Sequence, residues 1–207
     1  MYDVSKMKLE LKQSISVVEK QIRTQFTSAF GTIYSNDLVP EQFPSHCPPI
    51  DLVSVSNPTD LKKIYRGPGF YVIFSDRTVD GNTCRLSQGP LRAIYRGECD
   101  KVRKRIESHL FNALYNSNYK GRSDSYVAKP ENKGRAFYEA HWPHCIKLDL
   151  GGPSGINIDQ SPYCDHKWYV LVHRMDESTQ QVRKIAELAF DDAFGHPAAS
   201  REVRSSV

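Results

Sequence analysis

The sequence lacks the features that define membrane-spanning and disulfide-stabilised proteins. It has no apolar run long enough to cross a bilayer, and its opening residues, MYDVSKMKLELK, contain no apolar signal core. Its five cysteines are odd in number, widely spaced and without any C-x-x-C pair, so a secreted disulfide framework is not expected. We therefore expect a cytoplasmic protein with reduced thiols and no membrane contact.

A strong charge of one sign is also missing. The chain has 28 Lys and Arg against 24 Asp and Glu, a net charge of +4 that allows a polyanionic partner without requiring one. The 207 residues are 39% hydrophobic and 11% aromatic, which is typical of a folded chain and not of a disordered one. One main domain with an extension is predicted.

Residues 1–60 are predicted to form this extension, which consists of a helix and a proline-rich segment. Apolar residues recur every three or four positions, which predicts a helix that ends near Gly31. Such a stripe usually packs on its own domain, and homodimerisation through the helix is the alternative. The stripe residues are Leu11, Ile15, Val18, Ile22 and Phe26. Five prolines between positions 36 and 58 then exclude long helices and central strands, which leaves an extended connection.

Residues 61–207 carry signals for strands and helices in a mixed order. One helix is predicted to follow Asp100 as its N-cap, and another to begin at Ser178, with Gln181 completing a capping box, and to end at Gly195. The order of strand, strand, helix, strand, strand and helix predicts an α+β domain with a small mixed or antiparallel sheet flanked by helices. The predicted strands are 69–74, 91–95, 145–150 and 167–172.

An aperiodic insertion at 116–135 holds a net charge of +3. Its basic residues alternate with Tyr119 and Tyr126, and this combination suits both phosphate neutralisation and base stacking. A solvated loop is the other interpretation. The candidate nucleic-acid-binding residues are Lys120, Arg122, Lys129 and Lys133, together with Lys101 and Lys104 near the predicted helix.

Polar residues lie at the margins of the two apolar helix faces. Arg105 falls about 100° from the centre of its stripe, and His109 lies one turn further along the same edge. Glu187 occupies a similar place on the last helix, between Arg183 and Asp191. Taken singly, each helix has the pattern of any amphipathic helix.

The combination resembles the GIY-YIG nuclease family over roughly residues 64–200. The motifs are Pro68-Gly69-Phe70-Tyr71, Ile94-Tyr95-Arg96-Gly97, Arg105 ten residues after Tyr95, and a late helical glutamate in AELAFDDAFG. The resemblance implies two tyrosines on neighbouring strands, an arginine on the first helix and a metal-binding glutamate on a later helix. It assigns the catalytic residues as Tyr71, Tyr95, Arg105, His109 and Glu187.

The resemblance implies an endonuclease that cleaves DNA, with duplex DNA expected, and that depends on Mg²⁺ or Mn²⁺ held by Glu187. Arg105 would offer its guanidinium to the scissile phosphate. Tyr71 would act as a general base if nearby cations lowered its pKa, and Tyr95 would position phosphate or water. The structural alternative is that both tyrosines are core aromatics.

The sequence departs from the family pattern in three places. The intervals from Tyr71 to Tyr95 and from Arg105 to Glu187 are both long. The asparagine that follows the family's glutamate is absent, which leaves Ser200 or His196 as a substitute. A nucleic-acid-binding protein without catalytic activity is therefore the alternative function.

A zinc site is a competing interpretation of the histidines and cysteines. Nitrogen and sulfur ligands of the type that Zn²⁺ prefers occur in two groups with irregular spacing. The groups are His141, His144 and Cys145, and then Cys164 and His166.

Overall fold

The computed structural model describes residues 4–43, 45, 49–118, 128–130, 146–152 and 155–200. A single five-stranded sheet has the order β1-β5-β2-β4-β3, and every neighbouring pair is antiparallel. The strands are β1 (Ile50–Ser54), β2 (Gly69–Ser75), β3 (Ser87–Gln88), β4 (Leu91–Cys99) and β5 (Trp168–Arg174). The helices are α1 (Val4–Ile33), α2 (Val102–Leu110), α3 (Asn112–Asn118), α4 (Ile146–Gly151) and α5 (Gln180–Phe194). The predicted α+β class with an antiparallel sheet is confirmed.

Helices cover both faces of the sheet. All seven residues of the central strand β2 are buried, and successive side chains of a strand point to opposite faces. Tyr71 and Ile73 pack in one hydrophobic cluster with Ile106 of α2. Phe70 and Val72, together with Phe74, pack in a second cluster with Ala186, Ala189 and Phe190 of α5. The sheet therefore separates an α2 side from an α5 side.

The second half of α1 packs on α5 and belongs to the same core. Thr27 donates a hydrogen bond to the carbonyl of Ala189 at 3.4 Å, and the rings of Phe30 and Phe190 lie 6.0 Å apart. The helix continues past Gly31 to Ile33, so the predicted end was two residues early. The first half of the predicted apolar stripe does not pack on the domain, because Leu11, Ile15 and Val18 are all more than half exposed.

Two segments differ from the predicted strands and connections. Residues 146–151 form α4 instead of a strand, because Ile146 and Leu150 are four residues apart and one helix face brings both to the core. The alternation of apolar residues over 145–150 fits both a strand and a short helix, so the sequence could not distinguish the two. The proline-rich connection contains β1, which pairs with β5 alone and is therefore an edge strand, a position that nearby prolines tolerate.

The predicted helix caps are shifted. α2 begins at Val102 after Lys101, and the carboxylate of Asp100 accepts a hydrogen bond from Arg183 instead of capping the helix. α5 is capped by Thr179, whose side chain accepts from the amide of Val182 at 3.3 Å, so the predicted start at Ser178 was early. The predicted end at Gly195 is confirmed by the left-handed φ of 87° there.

A buried histidine joins α1 to the sheet. The hydroxyl of Tyr34, just after α1, lies 2.6 Å from Nε2 of His173 on β5. Burial lowers the pKa of His173 from 6.5 to about 4. The folded state therefore holds this imidazole neutral at pH values where the unfolded chain would protonate it.

We expect this histidine to make stability pH-dependent. Because the folded pKa lies below the unfolded one, stability is fully present above about pH 6.5 and declines as the pH falls towards about 4. Between pH 7 and 4.5 the free energy of unfolding of the wild type should fall by about 2.5 kcal/mol more than that of His173→Gln. Denaturant unfolding at the two pH values measures the difference. Equal declines in the two proteins would contradict a buried neutral imidazole.

The predicted basic insertion lies largely outside the described residues. Lys120, Arg122 and Lys133 fall there, whereas Lys129 is described and exposed. The first three residues of the insertion, 116–118, form the end of α3. Among the described residues, no helix combines the length and apolar character needed to span a membrane.

Candidate active site

A tyrosine and a histidine from distant parts of the sequence meet on the α2 side of the sheet. Tyr71 of β2 is fully buried, and its hydroxyl lies 2.9 Å from Nε2 of His109 on α2, which is also fully buried. β2 supplies the tyrosine because the strand alternation points it to this face, and α2 supplies the histidine from its last turn. The two side chains form one buried hydrogen-bonded pair.

Tyr95 and Arg105 extend this pair. The Tyr95 ring on β4 lies 4.5 Å from the His109 ring and 6.1 Å from the Tyr71 ring, measured between centroids. Arg105 lies one helical turn before His109, and its positive charge acts on the phenol of Tyr71. The structure thus brings together four of the five predicted catalytic residues, which we call the tyrosine cluster: Tyr71, Tyr95, Arg105 and His109.

The environment of Tyr71 does not suit a general base. Burial raises the pKa of Tyr71 well above its usual value of 10, and the opposing charge of Arg105 does not reverse the shift. The condition for a general-base role, a pKa lowered by nearby cations, is not met, because desolvation of the phenolate outweighs the attraction of the guanidinium. Tyr71 stays protonated and can serve as a hydrogen-bond donor.

Gly97 makes room for the tyrosine cluster. It is the register partner of Tyr71 on β4, and a Cβ atom at this position would lie 2.6 Å from the Tyr71 hydroxyl and 3.1 Å from the Tyr95 ring. Both rings are held in a packed core, so neither can move away freely. The glycine of the Tyr95-Arg96-Gly97 motif is therefore required by the space that the two tyrosines occupy.

We expect Gly97→Ala to lower the free energy of unfolding by about 1–3 kcal/mol, because the added methyl group overpacks a buried cluster. Gly31→Ala is the matched control, since nothing lies within 4 Å of a Cβ there and alanine favours the helix. The control should be neutral or stabilising. Chemical denaturation of both variants compares them, and equal stabilities would contradict the packing.

A second group of charged residues lies on the α5 side. The guanidinium of Arg96 on β4 is 2% exposed and contacts Glu187 and Asp191, which are one turn apart on α5. Its Nη1 lies 3.3 Å from Glu187, and its Nε and Nη2 donate to the two oxygens of Asp191 at 3.0 and 2.6 Å. Burial alone would lower the pKa of Arg96, but the hydrogen bonds and charges of the two carboxylates raise it above its usual value. Arg96 therefore stays charged and pairs with both carboxylates.

Both residues proposed to replace the missing asparagine lie beside this group. His196 Nδ1 is 3.0 Å from Asp191, and His196 Nε2 is 3.0 Å from the carbonyl of Ser200. The hydroxyl of Ser200 accepts a hydrogen bond from the amide of Arg96 at 2.7 Å. Arg96, Glu187, Asp191, His196 and Ser200 are called the Arg96 cluster below.

The two clusters lie on opposite faces of β4. Tyr95 pairs in register with Ile73 of the α2 side, whereas Arg96 pairs with Val72 of the α5 side. Glu187 therefore lies on the other face of the strand from the tyrosine cluster, whereas the resemblance implies that Tyr71, Tyr95, Arg105 and Glu187 form one site. The clusters adjoin at β4, since Tyr95 and Arg96 are consecutive residues. The phenol of Tyr95 contributes to the raised pKa of Arg96.

Sequence reasoning missed Arg96 as a functional candidate. It interrupts an apolar strand, and a buried arginine needs acidic partners. The sequence offered such partners, because Glu187 and Asp191 are four residues apart and therefore lie on one face of a helix.

The remaining predicted residues are only partly described. Lys101 is exposed and Lys104 is half-buried, both near the start of α2. The zinc candidates His141, His144 and Cys145 fall outside the described residues, and His166 contacts Asp76 at 3.1 Å. No group of three or more metal-ligating side chains occurs within the described part of the chain.

The donor chemistry at Glu187 suits a hydrated divalent cation. A single carboxylate is enough to hold Mg²⁺ when waters and phosphate oxygens complete its coordination. The carboxylate oxygens of Glu187 are therefore suitable ligands for Mg²⁺. The positive charge of the adjacent Arg96 guanidinium repels the cation and weakens its binding.

Comparisons with known proteins give no assignment. A scan against models of protein families, a search of curated proteins and a search of solved structures each find no match.

Proposed function

We propose that this protein is a metal-dependent endonuclease that hydrolyses phosphodiester bonds in DNA, acting in the cytoplasm. The observation that carries the proposal is the tyrosine cluster, in which residues up to 38 positions apart meet around Gly97. Packing alone would be satisfied by apolar side chains here, without a buried histidine beside two phenols and an arginine. These residue types and their order are those that the resemblance to GIY-YIG nucleases implies.

Each residue has a role that fits its surroundings. Arg105 would bind the scissile phosphate through its planar guanidinium, which matches phosphate oxygens better than a lysine does. Tyr71, held protonated by burial, would orient His109, and Tyr95 would position phosphate or water at the strand. Mg²⁺ or Mn²⁺ held by Glu187 would supply charge neutralisation from the α5 side of β4, next to Arg96, while Arg105 would bind the phosphate from the α2 side. Lys101 and Lys104, with the basic insertion, would contact the flanking phosphates.

A nucleic-acid-binding protein without cleavage is the second candidate. The observation that favours it is the ion pair between Arg96 and Glu187, since a carboxylate that is already neutralised holds a cation less strongly. The absence of the family's asparagine points the same way. The two candidates share the DNA partner and differ in the chemistry at Glu187.

Incubation with supercoiled plasmid separates the two functions. The endonuclease converts the plasmid to nicked or linear forms with Mg²⁺ or Mn²⁺ and not with EDTA. Arg105→Ala, purified in parallel, controls for contaminating nucleases and should be slower by about 10²- to 10³-fold. Retarded mobility without strand breaks, weakening with salt, identifies the binding protein. If the protein neither cleaves the plasmid nor retards its mobility, both candidates are contradicted.

A further inference from the structure

The first half of α1 extends beyond the rest of the described protein. α1 runs parallel to α5, and Glu19 accepts a hydrogen bond at 2.7 Å from Gln181, in the first turn of α5. The helix before Glu19 therefore continues past the start of α5, and every residue from 5 to 18 is exposed. An isolated helical segment of this length is marginal in water, so it gains most of its stability from an apolar partner.

This exposed segment carries an apolar stripe with the spacing of a coiled coil. Leu11, Ile15, Val18 and Ile22 follow one another at intervals of four, three and four residues, which are the alternating a and d positions of a heptad. The first three are 55%, 55% and 51% exposed, and Ile22 is half-buried. The stripe then reaches Phe26, which packs on the core. It is thus a continuous apolar seam that starts at the domain and runs out along the helix.

We propose that the seam pairs with the seam of a second copy of this chain, as an antiparallel two-helix coiled coil. Antiparallel pairing places Leu11 opposite the partner's Ile22 and Ile15 opposite the partner's Val18. The two-fold axis repeats both contacts, which gives four apolar layers. At each end of the seam Lys8 lies opposite the partner's Gln25, so the apolar contact ends at polar side chains. A C₂ interface of this kind uses the same surface on both subunits.

Charge decides the direction of pairing. In the antiparallel arrangement Lys12 lies beside the partner's Glu19, twice per dimer, and Gln181 already orients Glu19 along the edge that faces α5. In a parallel arrangement Lys8 would face the partner's Lys8, and Lys12 would lie beside the partner's Met7. Flanking charges set orientation in coiled coils, so the antiparallel arrangement is favoured.

The size of the contact is compatible with a reversible dimer. Residues 8–25 span about 27 Å of helix, and a seam of this length buries about 500 Å² on each subunit. A total near 1,000 Å² lies at the low end of specific interfaces, in the size range of weak and transient complexes. The second copy thus covers the segment that the described chain leaves exposed.

Analytical ultracentrifugation of the full chain over about 1–100 µM tests the proposal. We expect a monomer–dimer equilibrium for the wild type. Ile15→Glu should raise the dissociation constant by about 100-fold or more, because it buries unpaired charge in the central layers. Val17→Glu is the matched control: Val17 is 58% exposed on the same helix but lies off the seam, so its variant should dimerise as the wild type does.

A charge exchange tests the direction. Lys12→Glu and Glu19→Lys should each weaken the dimer, and the double variant should restore it, because the antiparallel pair is re-formed with reversed signs. A double variant as weak as the two changes combined would overturn the antiparallel arrangement. A wild type that stays monomeric throughout, or equal losses from Ile15→Glu and Val17→Glu, would overturn the dimer itself. None of these readouts depends on DNA cleavage.

Discussion

Substitution of Glu187 by glutamine is expected to lower the rate of Mg²⁺-dependent DNA cleavage by about 10²- to 10³-fold or more, while DNA binding changes little. The reason is that glutamine keeps the size of the side chain and an acceptor oxygen for Arg96, but loses the negative charge that a divalent cation needs. Binding is expected to persist because it depends on the basic residues. Initial rates of plasmid nicking and a gel-shift titration measure the two quantities.

Glu98→Gln provides the control for this experiment. Glu98, on β4, is another largely buried glutamate, and it pairs with the buried guanidinium of Arg183 at 3.0 Å, as Glu187 of α5 pairs with Arg96. Both variants thus remove one charge from a buried ion pair, but only Glu187 has a proposed role in metal binding. Equal cleavage by the two variants would show that Glu187 does not hold the metal, and the site would have to be sought elsewhere.

Replacement of Arg96 by methionine is expected to lower the free energy of unfolding by about 3–5 kcal/mol. Arg96 is 2% exposed and forms ion pairs with two carboxylates, whose side chains are 11% and 20% exposed. Removing the guanidinium leaves both negative charges close together in a poorly hydrated place. Denaturant unfolding measures the loss.

Arg23→Met is the matched control for Arg96→Met. Arg23 of α1 also binds an aspartate of α5, with Nε 2.5 Å from Asp192, but both side chains are 40% exposed. Water and ions screen such a surface pair, so its loss should cost less than about 1 kcal/mol. If Arg96→Met proved no more harmful than Arg23→Met, the carboxylates at Glu187 and Asp191 would have to be better hydrated than the structure indicates.

Local patterns in the sequence predicted the elements whose signals are unambiguous. The β2 run is entered by a glycine turn and is rich in aromatic and branched residues, and α2 has three apolar residues at helical spacing. The register of the sheet then decides which side chains meet. That register could not be read from single segments, because it depends on how β2, β4 and β5 pair. The meeting of Tyr71 with His109 was implied by resemblance alone.

The parts that failed share a physical cause, which is competition between local and tertiary interactions. Asp100 has the sequence position of a helix cap, but the buried guanidinium of Arg183 takes its carboxylate. The apolar pattern of α4 is too short to distinguish the two-residue period of a strand from the 3.6-residue period of a helix. Glu187 lies on the other face of the sheet from the tyrosine cluster because α5 packs there through Ala186, Ala189 and Phe190, and Glu187 pairs with Arg96 on that face.

The contact of Ser200 with β4 covers part of a free sheet edge, which could otherwise pair with a strand of another molecule. β3 pairs with β4 only as far as Arg92, so the remaining edge of β4 presents backbone groups to any extended chain. Ala199 donates its amide to the carbonyl of Ile94 at 3.1 Å, and the Ser200 hydroxyl accepts from the amide of Arg96, so these two residues occupy part of that edge. Removal of Ala199 and Ser200 from the edge of β4 would expose a template for intermolecular β-pairing, and ordered aggregates would then compete with the native fold.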